Sequence, residues 1–163
     1  MTPMDITSFM DRYKVAWETS DEHKLLALFA ADGVYHNTPF AAQRGHAAIS
    51  AYWQRTKLQT DIRLTYEILA THTRGGVAHW HVTYRVTSEE LFRSWAASTG
   101  TNALARTPGD PLPRLALDGV AVVELDDAGL CRHFRLWWHS VVATGQADQS
   151  ARAVRRGSPS SPG

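Results

Sequence analysis

The sequence predicts an α+β fold, a cone-shaped barrel in which three N-terminal helices pack on one face of a curved antiparallel sheet. Two observations carry this. Apolar residues recur at helical spacing through the first third of the chain, and they alternate along four separate segments between residues 61 and 142. A length of 163 residues suits one domain with a sizeable core and leaves little room for a second.

The first helix carries Ile6, Phe9, Met10, Tyr13 and Trp17 on one stripe, and Thr2-Pro3 is its expected start. Ser20, followed by Asp21 and Glu22, reads as the cap of a second helix. Leu25, Leu28 and Phe29 would be its apolar face and Asp32-Gly33 its stop. GVYHNTPF (33–40) reads as a short strand cut off by Pro39. A third helix follows Gly45 and buries Ile49, Tyr52 and Trp53.

DIRLTYEIL (61–69) is the first long strand, and Arg74-Gly75-Gly76 signals a hairpin into VAHWHVTYRV (77–86). There Ala78, Trp80, Val82, Tyr84 and Val86 share one face, and His79, His81, Thr83 and Arg85 the other. RLALDGVAVVEL (114–125) and LCRHFRLWWHSVV (130–142) are the third and fourth, joined by a turn at 126–129. The insert at 88–113 begins with SEELFRSWAA, one to three helical turns capped by Ser88. At about 26 residues it far exceeds a hairpin loop, and both a lid or contact arm and a plain excursion stay open. Residues 144–163 are small, polar and rich in Ser, Pro and Arg, and read as a disordered tail after a domain at 1–143.

The 17 Lys and Arg nearly cancel 16 Asp and Glu, for a net charge of +1. Arg152, Arg155 and Arg156 put the basic excess in the tail. A balanced domain has no electrostatic footprint for nucleic acid. The single Cys131 excludes an intrachain disulfide, and no Cys/His spacing reads as zinc. There is no apolar run for a membrane span and no signal-peptide pattern, so a cytoplasmic protein is expected. Without a glycine-rich phosphate loop, no nucleotide cofactor is expected, nor any other. The six tryptophans are the unusual feature, because Trp lines cores, interfaces and pockets.

An aromatic first helix, DEHKLLALFAADGVYHNTPF, RGHAAISAYW, the hairpin with VAHW, DGVAVVELDDAG and a closing FRLWWH follow in that order. This order resembles the SnoaL-like, nuclear transport factor 2-like superfamily over about residues 5–142, leaving out the insert. The resemblance implies a cone-shaped fold shared by ketosteroid isomerases, limonene epoxide hydrolases, polyketide cyclases, dehydratases and members without catalysis.

Each chemistry meets the residues differently. DRYKVAW resembles the isomerase helix and puts its donor tyrosine at Tyr13. The base position holds Asn37, an amide that takes no proton at neutral pH, and the second donor position holds Ala121. YHNTP resembles the epoxide hydrolase segment, with Tyr35 and Asn37 as the water-holding pair. The positions of its activating Arg and two Asp hold Val82, Tyr84 and Leu136. A cyclase needs a cavity acid. Asp118 is the candidate if a bulge at Gly119 turns it inward; in a regular strand it faces out. The candidate catalytic set is thus Tyr13, Tyr35, Asn37 and Asp118.

Alternation and the implied cone together predict a lining of Trp17, Phe40, Trp53, Trp80, Val82, Tyr84, Leu117, Ala121, Phe134, Leu136 and Trp138. Such a wall suits a small apolar or aromatic metabolite. A dry, interdigitated core is the other reading. The outer face carries His79, His81, Arg85, His133, Arg135, Trp137 and His139. Relatives often pair through this face, so a homodimer is expected there. His79 and His81 lack a carboxylate or cysteine nearby in sequence, so no metal is expected. Two functions follow: a small-molecule protein, as isomerase, cyclase, dehydratase or hydrolase by acid–base chemistry, or a non-catalytic homodimeric binding or assembly module.

Overall fold

The computed structural model describes residues 4–99 and 109–143. The expected tail and the middle of the insert lie outside them, as does Thr2-Pro3.

Helix α1 (Ile6–Glu18) is capped by Asp5, whose carboxylate accepts from the Ser8 amide at 2.7 Å. Its predicted stripe is buried. Helix α2 (Glu22–Leu26) is capped by Asp21 instead of the expected Ser20. Ser20 has a φ of 51°, which breaks the chain between the helices, and its hydroxyl donates to the Thr56 carbonyl at 3.1 Å.

Strand β1 (Phe29–Thr38) begins earlier than the sequence suggests, so Leu28 and Phe29 lie outside α2. Asp32-Gly33, expected to stop a helix, marks a register shift inside this strand. A Cβ on Gly33 would sit 2.8 Å from the Cys131 carbonyl oxygen, so glycine allows β1 to pass close to the last strand. Strand β2 (Ala41–Arg44) forms a hairpin with β1 that was not anticipated. Phe40 lies in its turn, fully exposed. Helix α3 (Gly45–Trp53) buries Ile49 and Trp53 and runs into a 3-10 turn at Gln54–Leu58.

Strands β3 (Gln59–His72), β4 (Gly75–Val86), β5 (Arg114–Leu125) and β6 (Cys131–Val142) form the expected antiparallel meander. The sheet order is β2-β1-β6-β5-β4-β3. Because β1 pairs parallel to β6, the sheet is mixed where an antiparallel one was expected. It curves without closing, and the helices cover its inner face. Helix α4 (Glu89–Thr99) occupies the start of the insert.

Pairing between β4, β5 and β6 is regular from Leu115 to Glu124. Trp80, Gly119 and Trp138 share one rung. A side chain at Gly119 would meet the Trp137 carbonyl oxygen at 2.2 Å and the Trp138 Cβ at 2.7 Å. Gly119 thus lets β5 and β6 approach between two indoles without a bulge.

Candidate functional site

The helices and the concave sheet face enclose a cavity of about 250 Å³. α1 supplies Tyr13 and Trp17, and β1 supplies Tyr35, Asn37 and Thr38. Tyr52, Trp53, Arg55 and Thr56 come from α3 and the 3-10 turn. The sheet gives Gln59, Trp80, Tyr84, Leu117, Leu136 and Trp138. α4 closes one side with Leu91, Ser94, Trp95 and Ser98.

Hydrogen bonds tie this wall together across distant elements. The Tyr13 and Tyr35 hydroxyls meet at 3.0 Å in the buried end. Trp17 Nε1 donates to Gln59 Oε1 at 2.8 Å, and Trp138 Nε1 to the Asn37 carbonyl at 2.6 Å. Trp95 Nε1 donates to Ser140 Oγ at 2.7 Å, pinning α4 to β6. Trp80, only 1% exposed, has no hydrogen-bond partner for its Nε1 among the described residues.

Aromatic rings make most of the surface. Trp17 lies 6.0 Å from Trp80 and 6.5 Å from Trp53, centroid to centroid, both tilted. Burial pushes the phenols of Tyr13, Tyr35, Tyr52 and Tyr84 above the usual tyrosine range. Arg55 pulls Tyr35, Tyr52 and Tyr84 partly back, so its charge is felt at these hydroxyls. Its Cζ lies 3.9 Å over the Tyr52 ring.

Tyr13, Tyr35, Asn37, Trp17, Trp53, Trp80, Tyr84, Leu117, Leu136 and Trp138 therefore come together on one wall. Others do not. Phe40 points away from the cavity in its exposed turn. Val82, Ala121 and Phe134 are fully buried in the packed core, off the cavity wall. Asp118 is on the outer face, because its strand stays regular at Gly119. There it accepts from His79 Nε2 at 2.9 Å and His81 Nδ1 at 3.1 Å. Thus no Asp, Glu or His lines the cavity among the described residues.

Sequence reasoning missed Arg55, Thr56 and Gln59, which sit in a turn and at a strand start with no periodic signal. It also missed the docking of α4, although Leu91, Ser94, Trp95 and Ser98 recur at helical spacing. Five of the six tryptophans end on the cavity wall; Trp137 is 43% exposed.

A family profile for a SnoaL-like domain matches residues 9–134, most of the chain. The chain belongs to the SnoaL-like domain family. No curated protein matches it. This SnoaL-like chain superposes on a ketosteroid isomerase from Mycobacterium sp. with a TM-score of 0.58 and 17% identity, covering 85% of this chain and 98% of that one. SalBIII, an epoxide hydrolase/cyclase-like enzyme with a role in pyran ring formation in salinomycin, gives 0.59 at 12% identity, covering 84% and 95%. A protein from Pseudomonas putida KT2440 described as a polyketide cyclase gives 0.53 at 18% identity, covering 82% and 91%. Likeness at such identities establishes the shared SnoaL-like fold alone. Among the described residues no helix is long and apolar enough to cross a membrane, and no cluster of His, Cys, Asp or Glu is arranged to hold a metal.

Proposed function

We propose that this SnoaL-like protein binds a small apolar molecule in its aromatic cavity, without carboxylate or imidazole proton transfer. The observation that carries this reading is the wall itself. It is lined by five tryptophans and four tyrosines, and among the described residues it holds no acid or histidine. General acid–base catalysis works best with a group poised near the operating pH. The cavity tyrosines are displaced upward, away from it. They remain hydrogen-bond donors at neutral pH and can orient a ligand oxygen.

Calorimetric titration with a fused-ring probe, 2-naphthoate or 2-naphthamide, tests the reading. Saturable binding is expected, lost in Leu136→Trp, which fills the cavity from its wall. Ser94→Trp, at an exposed position of α4, narrows the mouth without changing the core and should weaken binding as well. Asp118→Asn on the opposite face should leave it intact. Absence of binding by both probes, or binding indifferent to both tryptophan substitutions, overturns the proposal.

A second reading concerns the outer face, where Trp137 is 43% and Val141 54% exposed on β6. Pairing of two copies through this face would cover them. A dimer at micromolar concentration, dissociated by Trp137→Glu, is expected in sedimentation equilibrium. A monomer of the unmodified protein would exclude this pairing.

A further inference from the structure

The free polar groups on the cavity wall are rich in donors. An indole N–H can only donate, so the bond from Trp17 occupies the Gln59 side-chain carbonyl and leaves its amide nitrogen as a donor. The Trp138 indole likewise occupies the main-chain carbonyl of Asn37. Tyr84 is 5% exposed and lines the cavity, and its hydroxyl has no hydrogen-bond partner among the described residues.

Arg55 adds charge to this set. Its Nε donates to the Tyr52 carbonyl at 3.0 Å, and its planar group rests on the Tyr52 ring. The two terminal amino groups have no carboxylate partner among the described residues. A guanidinium with its end-on edge free presents two parallel N–H donors, the geometry that matches a carboxylate.

Ligand classes fare differently against this wall. A cation meets the Arg55 charge with no acid on the wall to offset it. A ligand rich in hydroxyls brings protons that few open acceptors can receive. A carboxylate only accepts. Because Arg55 is exposed at the mouth, a carboxylate there keeps part of its hydration while the apolar body is buried.

We propose that the cavity takes an apolar acid, with its ring system among the tryptophans and its carboxylate on the free edge of Arg55. This rests on the cavity binding a small molecule at all. Tyr84 and the Gln59 amide then serve any further oxygen on the ring system.

The test compares 2-naphthoate with 2-naphthamide, which share a ring system and differ in charge, by calorimetric titration near neutral pH. Naphthoate should bind about ten-fold tighter or better, the scale of one charge-assisted contact. Arg55→Gln should cost naphthoate about ten-fold more affinity than naphthamide, whose retained binding also shows that the variant is folded. Arg55→Lys should restore part of that preference, since an ammonium keeps the charge and lacks the fork. Equal affinities in the unmodified protein, or equal losses for both probes in Arg55→Gln, overturn the acid preference while the binding cavity stands. If neither probe binds, or if naphthoate binding is indifferent to both Leu136→Trp and Ser94→Trp, both readings fall together.

Discussion

The hydroxyls of Tyr13 on α1 and Tyr35 on β1 lie 3.0 Å apart, joining helix and sheet in the buried end of the cavity. Both side chains are almost wholly buried. One phenol therefore donates to the other's oxygen where water is scarce, and the accepting phenol keeps its own proton to donate.

Removing one of the two hydroxyls strands its partner. Tyr13→Phe should cost about 1–3 kcal/mol of stability, the usual penalty for a buried polar group left unmatched. Tyr35→Phe should cost a similar amount. The double variant should cost less than the sum, because the second change removes the orphan. Urea denaturation of the three variants measures the coupling; strict additivity would argue against the bond.

The same burial predicts alkaline behaviour. Tyr13, Tyr35 and Tyr84 are all held above the ordinary tyrosine value, first by desolvation. Tyr66 is raised to about 12, by burial and then by its bond to Asp11. Above a pH of about 10 the unfolded chain releases phenolic protons that the folded chain keeps. Stability is therefore full below that pH and falls as the pH rises through it. Tyrosinate absorbance should grow together with loss of circular dichroism. Complete ionisation of all five tyrosines in a folded protein would contradict this.

Gly119 makes a packing prediction. In Gly119→Ala the new methyl would lie 2.2 Å from a backbone oxygen, which no rotamer change relieves. Overpacking of this kind costs about 1–3 kcal/mol. Trp138 should shift as well, detectable in its fluorescence. Unchanged stability and emission would show that β5 and β6 separate easily here.

Trp95 holds α4 over the cavity through Ser140 and is 7% exposed. In Trp95→Ala that anchor and its buried surface are lost, a change of about 3 kcal/mol for a buried indole. The loss should be local. Amide exchange across Glu89–Thr99 should accelerate while the buried face of α1 stays protected. Uniform acceleration through both helices would mean that α4 is integral to the core.

Much of the fold was legible because period and direction are local properties. Trp17 and Tyr13 share a helix stripe, and Trp80 and Tyr84 a strand face, whatever surrounds them. The errors fell where two signals competed. Asp32-Gly33 looked like a helix stop and instead sits where β1 bends past Cys131. Asp118-Gly119 left both a bulge and a regular strand open, and the pairing runs through it unbroken. A glycine in a sequence announces unusual backbone or close approach and does not say which.

By itself, the sequence determined the order of the helices and of every strand but β2, the faces of the long strands, and the family resemblance. Tertiary structure alone decided that β1 lies parallel to β6, that α4 covers the cavity, and that Asp118 turns away from it. It also decided which inward residues line a hollow and which, like Val82 and Phe134, fill the core. The physical reason is that a side chain's direction follows from its own backbone. Whether space remains beside it depends on side-chain volumes from every surrounding element at once, and no local pattern encodes that sum.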